Sequence, residues 1–277
     1  MATTGITRRH LFAASAAAFA APLLLPSAAH ADTLGDIKAR KKIIIGIQGD
    51  NPPWGFVDTS GKQDGFDGDI GRAFAAYLGV EVEFSPLAVA NRIPALVSGR
   101  VDVLFATMAM LPDRAKAVQF SKPYVANQIS VVAAKTTAIK APADLAKVKI
   151  GVPRSSVQDN DVTKIAPAGT DILRFNDDAA TIQALISGQV EAVGANQFYI
   201  ERLNAAKPGV FENKLYMSAL YNGACTRLGD KAINETLNAF IDKIRADGTL
   251  TKAYDKWMHL TPPNFPASLE GIPFTVG

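Results

Sequence analysis

The chain is poor in the side chains from which many catalytic and metal centres are built. Cysteine occurs once, as Cys225, which rules out an intramolecular disulfide and a cysteine-based zinc site. Histidine occurs three times, and two of these, His10 and His30, fall in a stretch that reads as a removable signal. A Ser-His-Asp hydrolase or a histidine-rich metal centre would rest on His259 alone, so neither is expected. An excess of one charge is also missing. Removing Arg8 and Arg9 from the 29 basic residues leaves 27 against 26 acidic ones, so nothing points to nucleic acid or an anionic membrane as partner. No stretch beyond residue 31 is long and apolar enough to span a membrane.

Phosphate-cradling loops are absent too. "GFDGDIG" lacks the G-x-x-x-x-G-K pattern, and its Asp67 and Asp69 lack the spacing and closing Glu of a calcium loop. It reads instead as a loop entering a helix whose N-terminus Asp69 stabilises. No metal and no cofactor is expected. What is present is an ordinary globular composition, 48% hydrophobic and 20% charged, enough for a sizeable core.

Residues 1–31 have the three parts of an export signal: a basic start, an apolar middle and a small-residue cleavage site. The pair Arg8-Arg9 followed by His10-Leu11-Phe12 resembles a twin-arginine signal. Ala29-His30-Ala31 places cleavage before Asp32. The run Leu11–Leu25 is alanine-rich, broken by Pro22 and too short for a membrane anchor.

The remaining chain alternates short apolar strands with amphipathic helices, which argues for an α/β fold. Strands are expected at Lys42–Ile47, Val80–Phe84, Val148–Val152 and Asp171–Phe175. A helix runs through Ile70, Phe74, Tyr77 and Leu78 to a stop at Gly79. "IPALVSGRVDVLFATM" (Ile93–Met108) reads as helix, glycine stop and strand. "IQALISGQVEAVGANQ" (Ile182–Gln197) repeats it in register, with Asp102 answered by Glu191. Two similar βα sets therefore precede a helical tail, whose stripe of Leu237, Phe240, Ile241 and Ile244 ends at an Asp247-Gly248 turn. Ligands of open α/β sheets sit beyond the carboxyl ends of the strands. There the two copies diverge, into Thr107-Met108 and Asn196-Gln197, as the rims of a small-ligand clamp would.

Arg114 follows the first of these strand ends. Spacing leaves it open between a surface arginine and a bidentate grip on a carboxylate. Ser155 and Ser156 occupy the matching junction of the second set, where hydroxyls and amides at a helix start can form an anion nest.

Five segments, in order, carry a resemblance: "PPWGFVDTSGKQDGFDGDI", "NRIPALVSGRVDVLFATMAMLPDRAKAVQFSKPY", "KIGVPRSSVQD", "ALISGQVEAVGAN" and "IRADGTLTKAYDKWM". Together they resemble the periplasmic amino-acid-binding proteins of ABC importers, the family 3 solute-binding proteins. The resemblance implies a type II periplasmic-binding-protein (Venus-flytrap) fold with two flavodoxin-like lobes and a central cleft. Lobe 1 would span 32–126, lobe 2 127–221, and 222–277 would return to lobe 1. It implies that the ligand's carboxylate is held by Arg114, by groups at Thr107 and Ala109, and by the Ser155-Ser156 turn. Met108 belongs to the same rim.

The departures bear on specificity. Ala109 and Val157 stand where the family has hydroxyls. Asn196 replaces the family's ammonium-binding Asp, with Asp50 as a substitute anion. Val89 replaces a stacking ring, leaving Trp54 as the aromatic candidate. "NRIP" (Asn91–Pro94) resembles the glutamate/aspartate branch, in which Arg92 would face the ligand's side chain; otherwise Arg92 is a surface residue at a helix start. Arg92 and Arg114 together, with Asn196, favour an acidic amino acid or related carboxylate. The expectation is a monomeric, non-enzymatic periplasmic protein that delivers this ligand to an ABC permease in the inner membrane. A cyclohexadienyl-dehydratase-like lyase, with Asp50 as its acid, and a ligand-presenting sensory receptor are the alternatives.

Overall fold

The computed structural model describes residues 1–2 and 32–277. Apart from its first two residues, the expected export signal lies outside them, as does the residue before its cleavage point. No helix among the described residues is long and apolar enough to cross a membrane.

Helix α1 (Thr33–Arg40) opens under an Asp32 cap, whose carboxylate accepts the Gly35 N–H at 2.8 Å. Strand β1 (Lys42–Ile47) follows as read, with Ile43, Ile45 and Ile47 fully buried; each contributes about 2 kcal/mol of apolar burial. Three short strands, β2 (Asp50–Asn51), β3 (Gly55–Val57) and β4 (Gln63–Asp64), make a small antiparallel sheet. Helix α2 (Phe66–Leu78) ends at Gly79, whose φ of 70° suits glycine. Tyr77, expected on its inner face, is 42% exposed. Strand β5 (Glu81–Pro86), helix α3 (Arg92–Val97), strand β6 (Val103–Leu104) and the short α4 (Pro112–Ala115) complete the first set.

Strand β7 (Gln119–Ala134) then leads into β8 (Ile150–Pro153), α5 (Val157–Ile165), β9 (Ile172–Phe175), α6 (Asp178–Ser187), β10 (Ala192–Asn196) and α7 (Tyr199–Ala206). Strand β11 (Phe211–Thr226) runs back along β7, and α8 (Lys231–Ala246) and α9 (Thr249–Met258) close the chain's regular structure. The main sheet has the order β5-β1-β6-β11-β7-β10-β8-β9. Parallel triplets flank two sixteen-residue antiparallel strands. Both expected changes of lobe fall inside those long strands, where Tyr221 pairs directly with Ala126. The C-terminal helices pack on the first triplet's side: Ile233, Leu237, Phe240 and Leu250 share one core with Ile43, Ile45, Ile70 and Phe74.

The repeated unit is structural as well as sequential. Both copies turn at a left-handed glycine, Gly99 at φ 75° and Gly188 at φ 79°. Asp102 donates its N–H to Ile44 O at 2.8 Å while its carboxylate accepts Ile44 N–H at 2.6 Å. Glu191 does the same to Lys149, at 2.8 and 3.0 Å. Each acid locks the start of its strand to the neighbouring parallel strand.

Candidate functional site

The carboxyl ends of β1, β6, β8 and β10 converge on one narrow cleft, with a cavity volume of about 30 Å³. Of the residues singled out from sequence, Arg92, Thr107, Ala109, Arg114, Ser156 and Asn196 line it.

Arg92 is 4% exposed, so it is not a surface residue. Its Nη1 donates to Ala106 O at 2.6 Å and Thr107 Oγ1 at 3.2 Å, while its Nε is buried with no protein partner. Burial pulls its pKa down, opposed by the charges of Asp178, Asp50 and Asp67. Arg114, half-buried, reaches across the cleft: Nη1 donates to Ala109 O at 3.4 Å and Nη2 to Ser155 O at 3.3 Å. Burial, reinforced by the Arg92 charge, lowers its pKa to about 10. Both bonds are long and go to uncharged carbonyls, which leaves the guanidinium fork available to a carboxylate.

Thr107 sits at φ 46°, a conformation unfavourable for a β-branched residue. Its N–H donates to Asp67 Oδ2 at 2.9 Å, and its hydroxyl donates to Gln48 Oε1. Asp67, read from sequence as part of a plain helix-entry loop, is fully buried and also accepts the Tyr124 hydroxyl at 2.6 Å. Burial pushes its carboxyl up to about 6. Asp69 lies in the first turn of α2 as expected, held by Arg72, Lys256 and Trp257.

The second rim differs from the expected nest. Ser155 does not line the cavity; its N–H goes to Asp159 Oδ2 at 3.2 Å. Ser156 caps α5, its hydroxyl accepting the Asp159 N–H at 3.0 Å. Val157 and Gln158, which line the cleft, supply the first N–H groups of that helix, and these have no intrahelical acceptor. The anion-attracting groups of this rim are therefore helix amides more than serine hydroxyls.

Three more expected residues, besides Ser155, lie elsewhere. Asp50 does not line the cavity; its Oδ2 accepts the N–H groups of Asp178 and Ala179 at 2.8 and 3.1 Å and caps α6 from across the cleft. Trp54 is fully buried, edge-on to Phe66 and Phe198 at 6.2 and 5.5 Å. It is a packing residue between the lobes, and Val89 faces the cavity instead. Met108 is buried in the core under β6 and does not reach the cleft.

Sequence reasoning missed Gln48, Asn51, Asn127, Gln158 and Asp178. Asp178 is 2% exposed. Its Oδ2 accepts Gln48 Nε2–H at 2.8 Å and its Oδ1 the Tyr199 hydroxyl at 2.5 Å. Burial, then the Asp50 charge, pushes its carboxyl up to about 6, against Tyr199, Arg92 and Arg202. The adjacent Asp177-Asp178 pair reads as ordinary helix-start chemistry, and Asp177 does cap α6, so nothing in the pattern singled Asp178 out. Asn196 spends its amide locally: Nδ2 donates to Asn51 Oδ1 at 3.2 Å and Oδ1 accepts Phe198 N–H at 3.0 Å. No cluster of potential metal ligands occurs among the described residues.

The model of the bacterial extracellular solute-binding proteins, family 3, matches residues 43–260. The chain belongs to that family. Among curated relatives it is 28% identical to the L-arginine-binding protein of Pseudomonas aeruginosa, covering 81% of this chain and 91% of that one. It is 30% identical to an ABC transporter glutamine-binding protein of Bacillus subtilis, over 83% and 86%. With the L-cystine-binding protein of Escherichia coli it shares 26%, over 90% and 95%. Solved structures agree. An ancestral arginine-binding protein bound to glutamine superposes with a TM-score of 0.74 at 33% identity, over 80% of this chain and 99% of that one. A solute receptor for L-cysteine of Neisseria gonorrhoeae gives 0.76 at 30%, over 81% and 93%. An ancestral amino acid-binding protein described as a precursor of cyclohexadienyl dehydratase gives 0.75 at 30%, over 81% and 99%. The fold is thus that of the type II periplasmic amino-acid-binding proteins, with two lobes around a cleft, and the relatives named are amino-acid-binding proteins, one of them of an ABC transporter. The glutamate/aspartate branch is not represented among these relatives.

Proposed function

We propose that this protein is the substrate-binding component of an ABC importer for a zwitterionic amino acid with a polar, uncharged side chain. The observation that carries it is Arg114, set across the cleft from the open amides of α5 with only two long carbonyl contacts of its own. A carboxylate placed between them bonds both lobes at once and favours closure. The acidic preference inferred from Arg92, Arg114 and Asn196 considered Asp50 as the anion and no other carboxylate beside the cations. Asp178 and Asp67 both act on Arg92, which removes the positive surplus that preference needs. Calorimetry with glutamine, arginine, cystine, glutamate and aspartate on protein beginning at Asp32 tests this. Tight binding confined to glutamate and aspartate would restore the acidic reading.

The protein acts as a monomer in the periplasm, exported through the twin-arginine signal, cleaved before Asp32 and docking on an inner-membrane permease. Lobe boundaries at 126/127 and 221/222 are supported by the Ala126–Tyr221 pair in the connecting strands. N-terminal sequencing of the secreted chain checks the cleavage.

A second reading keeps one supporting observation. A lyase on this fold needs a carboxylic acid in the cleft with a raised pKa; Asp178 meets that condition, whereas Asp50 caps α6 and does not line the cavity. Turnover of prephenate or arogenate by the purified protein would displace the binding reading, and none is expected.

A further inference from the structure

An amino acid brings an ammonium as well as a carboxylate, and an ammonium in a water-poor cleft needs an anion. Among the described residues lining the cavity, Asp178 is the one carboxylate. We propose that Asp178, on the first turn of α6, takes the ligand's ammonium in place of Asn196, and that the Gln48 carboxamide holds its position in the ligand-free cleft. This rests on the amino-acid reading above.

Asn196 is an unsuitable acceptor here. It carries no charge, and both its amide atoms are engaged, one holding Asn51 and the other pinning the backbone at Phe198. Asp178 has capacity to spare, because each carboxylate oxygen offers two acceptor sites and each has one protein partner, the Tyr199 hydroxyl or the Gln48 amide. Asp178 is buried and bonds a side chain from the opposite lobe.

Gln48 is what a placeholder requires. It is a neutral N–H donor following β1, aimed at the carboxylate from across the cleft, with its Oε1 held by Thr107 and Asn51. Both bonds use the carboxylate charge, but the ammonium adds a full opposite charge in a water-poor cleft, so arrival of the ligand displaces Gln48 favourably. Asp50 completes the device by fixing the backbone of Asp178 and adding a second negative charge beside it. Arg92, on the first lobe, and Arg202, on α7, also face Asp178 and keep it from being an isolated buried anion.

The test compares each amino acid with its des-amino counterpart: L-glutamine with glutaramic acid, and L-arginine with 5-guanidinovaleric acid. For the pair that wild-type protein binds, Asp178→Asn should weaken the amino acid about 100-fold or more, yet leave the des-amino analogue within about threefold. Asn196→Ala should keep the wild-type discrimination. Equal loss for both ligands in Asp178→Asn, or unchanged binding of the amino acid, overturns the proposal while leaving the amino-acid reading intact. Wild-type protein that binds no amino acid of the panel overturns both. Should Asp178→Asn fail to fold, wild-type protein decides. Its preference for the amino acid over the analogue should shrink roughly tenfold between pH 7 and pH 5, as the carboxyl takes up its proton. A ratio that stays flat over that range overturns the proposal.

Discussion

Asp50 caps a helix that belongs to the other lobe: its Oδ2 accepts the N–H of Asp178, the first residue of α6, at 2.8 Å. The bond exists only while the lobes are together. Asn51 and the Asp50 carbonyl add bonds to Asn196 and Arg202, so protein–protein bonds at the rim hold the described conformation shut. A helix cap is worth about 1 kcal/mol, and the charge on Asp50 at the positive end of α6 adds to it. Asp50→Ala should therefore shift the ligand-free protein toward the open form by about fivefold or more. Small-angle scattering checks this as a larger radius of gyration without ligand, collapsing to the wild-type value when ligand is saturating.

Arg114 is costly in the ligand-free protein. Among the described residues it bonds two carbonyls and faces another cation, Arg92. A partly desolvated cation without an anion lowers stability until the ligand supplies one. Arg114→Ala should abolish detectable ligand binding, a loss of about 100-fold or more, and leave the ligand-free melting temperature equal or higher. Arg114→Lys should not rescue binding, since a point charge cannot make two parallel bonds. A variant that binds normally, or that melts several degrees lower without ligand, contradicts the role given to this side chain.

The scaffold was far more legible in the sequence than the site. The apolar run placed β1 to the residue, because it is governed by local burial periodicity. The sixteen-residue strands β7 and β11 were not legible, since their partner is each other, about ninety residues away, and their sides change character along the length. Within the site, Arg92 and Arg114 were reached through the family resemblance, since spacing alone left each open to a surface reading. Trp54 was not legible, because whether a ring faces a cleft or a core depends on Phe66 and Phe198, neither of which follows from spacing. Asp178 escaped for a similar reason: it is chosen by Gln48, 130 positions away.

Asp67 makes stability depend on pH in a direction opposite to that of a salt-bridged carboxylate. Burial raises its carboxyl to about 6 in the folded chain, against about 3.9 unfolded. Between about pH 4 and 6 the native state holds a proton that the unfolded chain has released. Stability therefore falls as pH rises through that window and levels off above it. Asp67→Asn keeps an acceptor for the Thr107 N–H and cannot ionise. Chemical denaturation should show a smaller decline between pH 4 and 6 in the variant than in wild type, with the remaining slope attributable in part to Asp178, which is raised by the same cause. Parallel curves for the two proteins would remove Asp67 as the source.

The acids of the repeated unit offer a test of scaffold against site. Asp102 and Glu191 close the same two-bond ring onto the neighbouring strand, one on Ile44 and the other on Lys149, and neither lines the cleft. Asp102 has the additional Arg40 ion pair and is buried, whereas Glu191 is exposed. Removing either carboxylate leaves a backbone N–H without its acceptor, at a cost of about 1 to 3 kcal/mol where water cannot replace it. Asp102→Ala should fall toward the upper end and Glu191→Ala near or below the lower end, because solvent reaches the Lys149 amide more readily. Denaturation midpoints measure both, and ligand affinity should stay within about threefold of wild type in each. A large affinity loss in either variant would mean that these strand locks reach the cleft, and that the repeat serves binding as well as architecture.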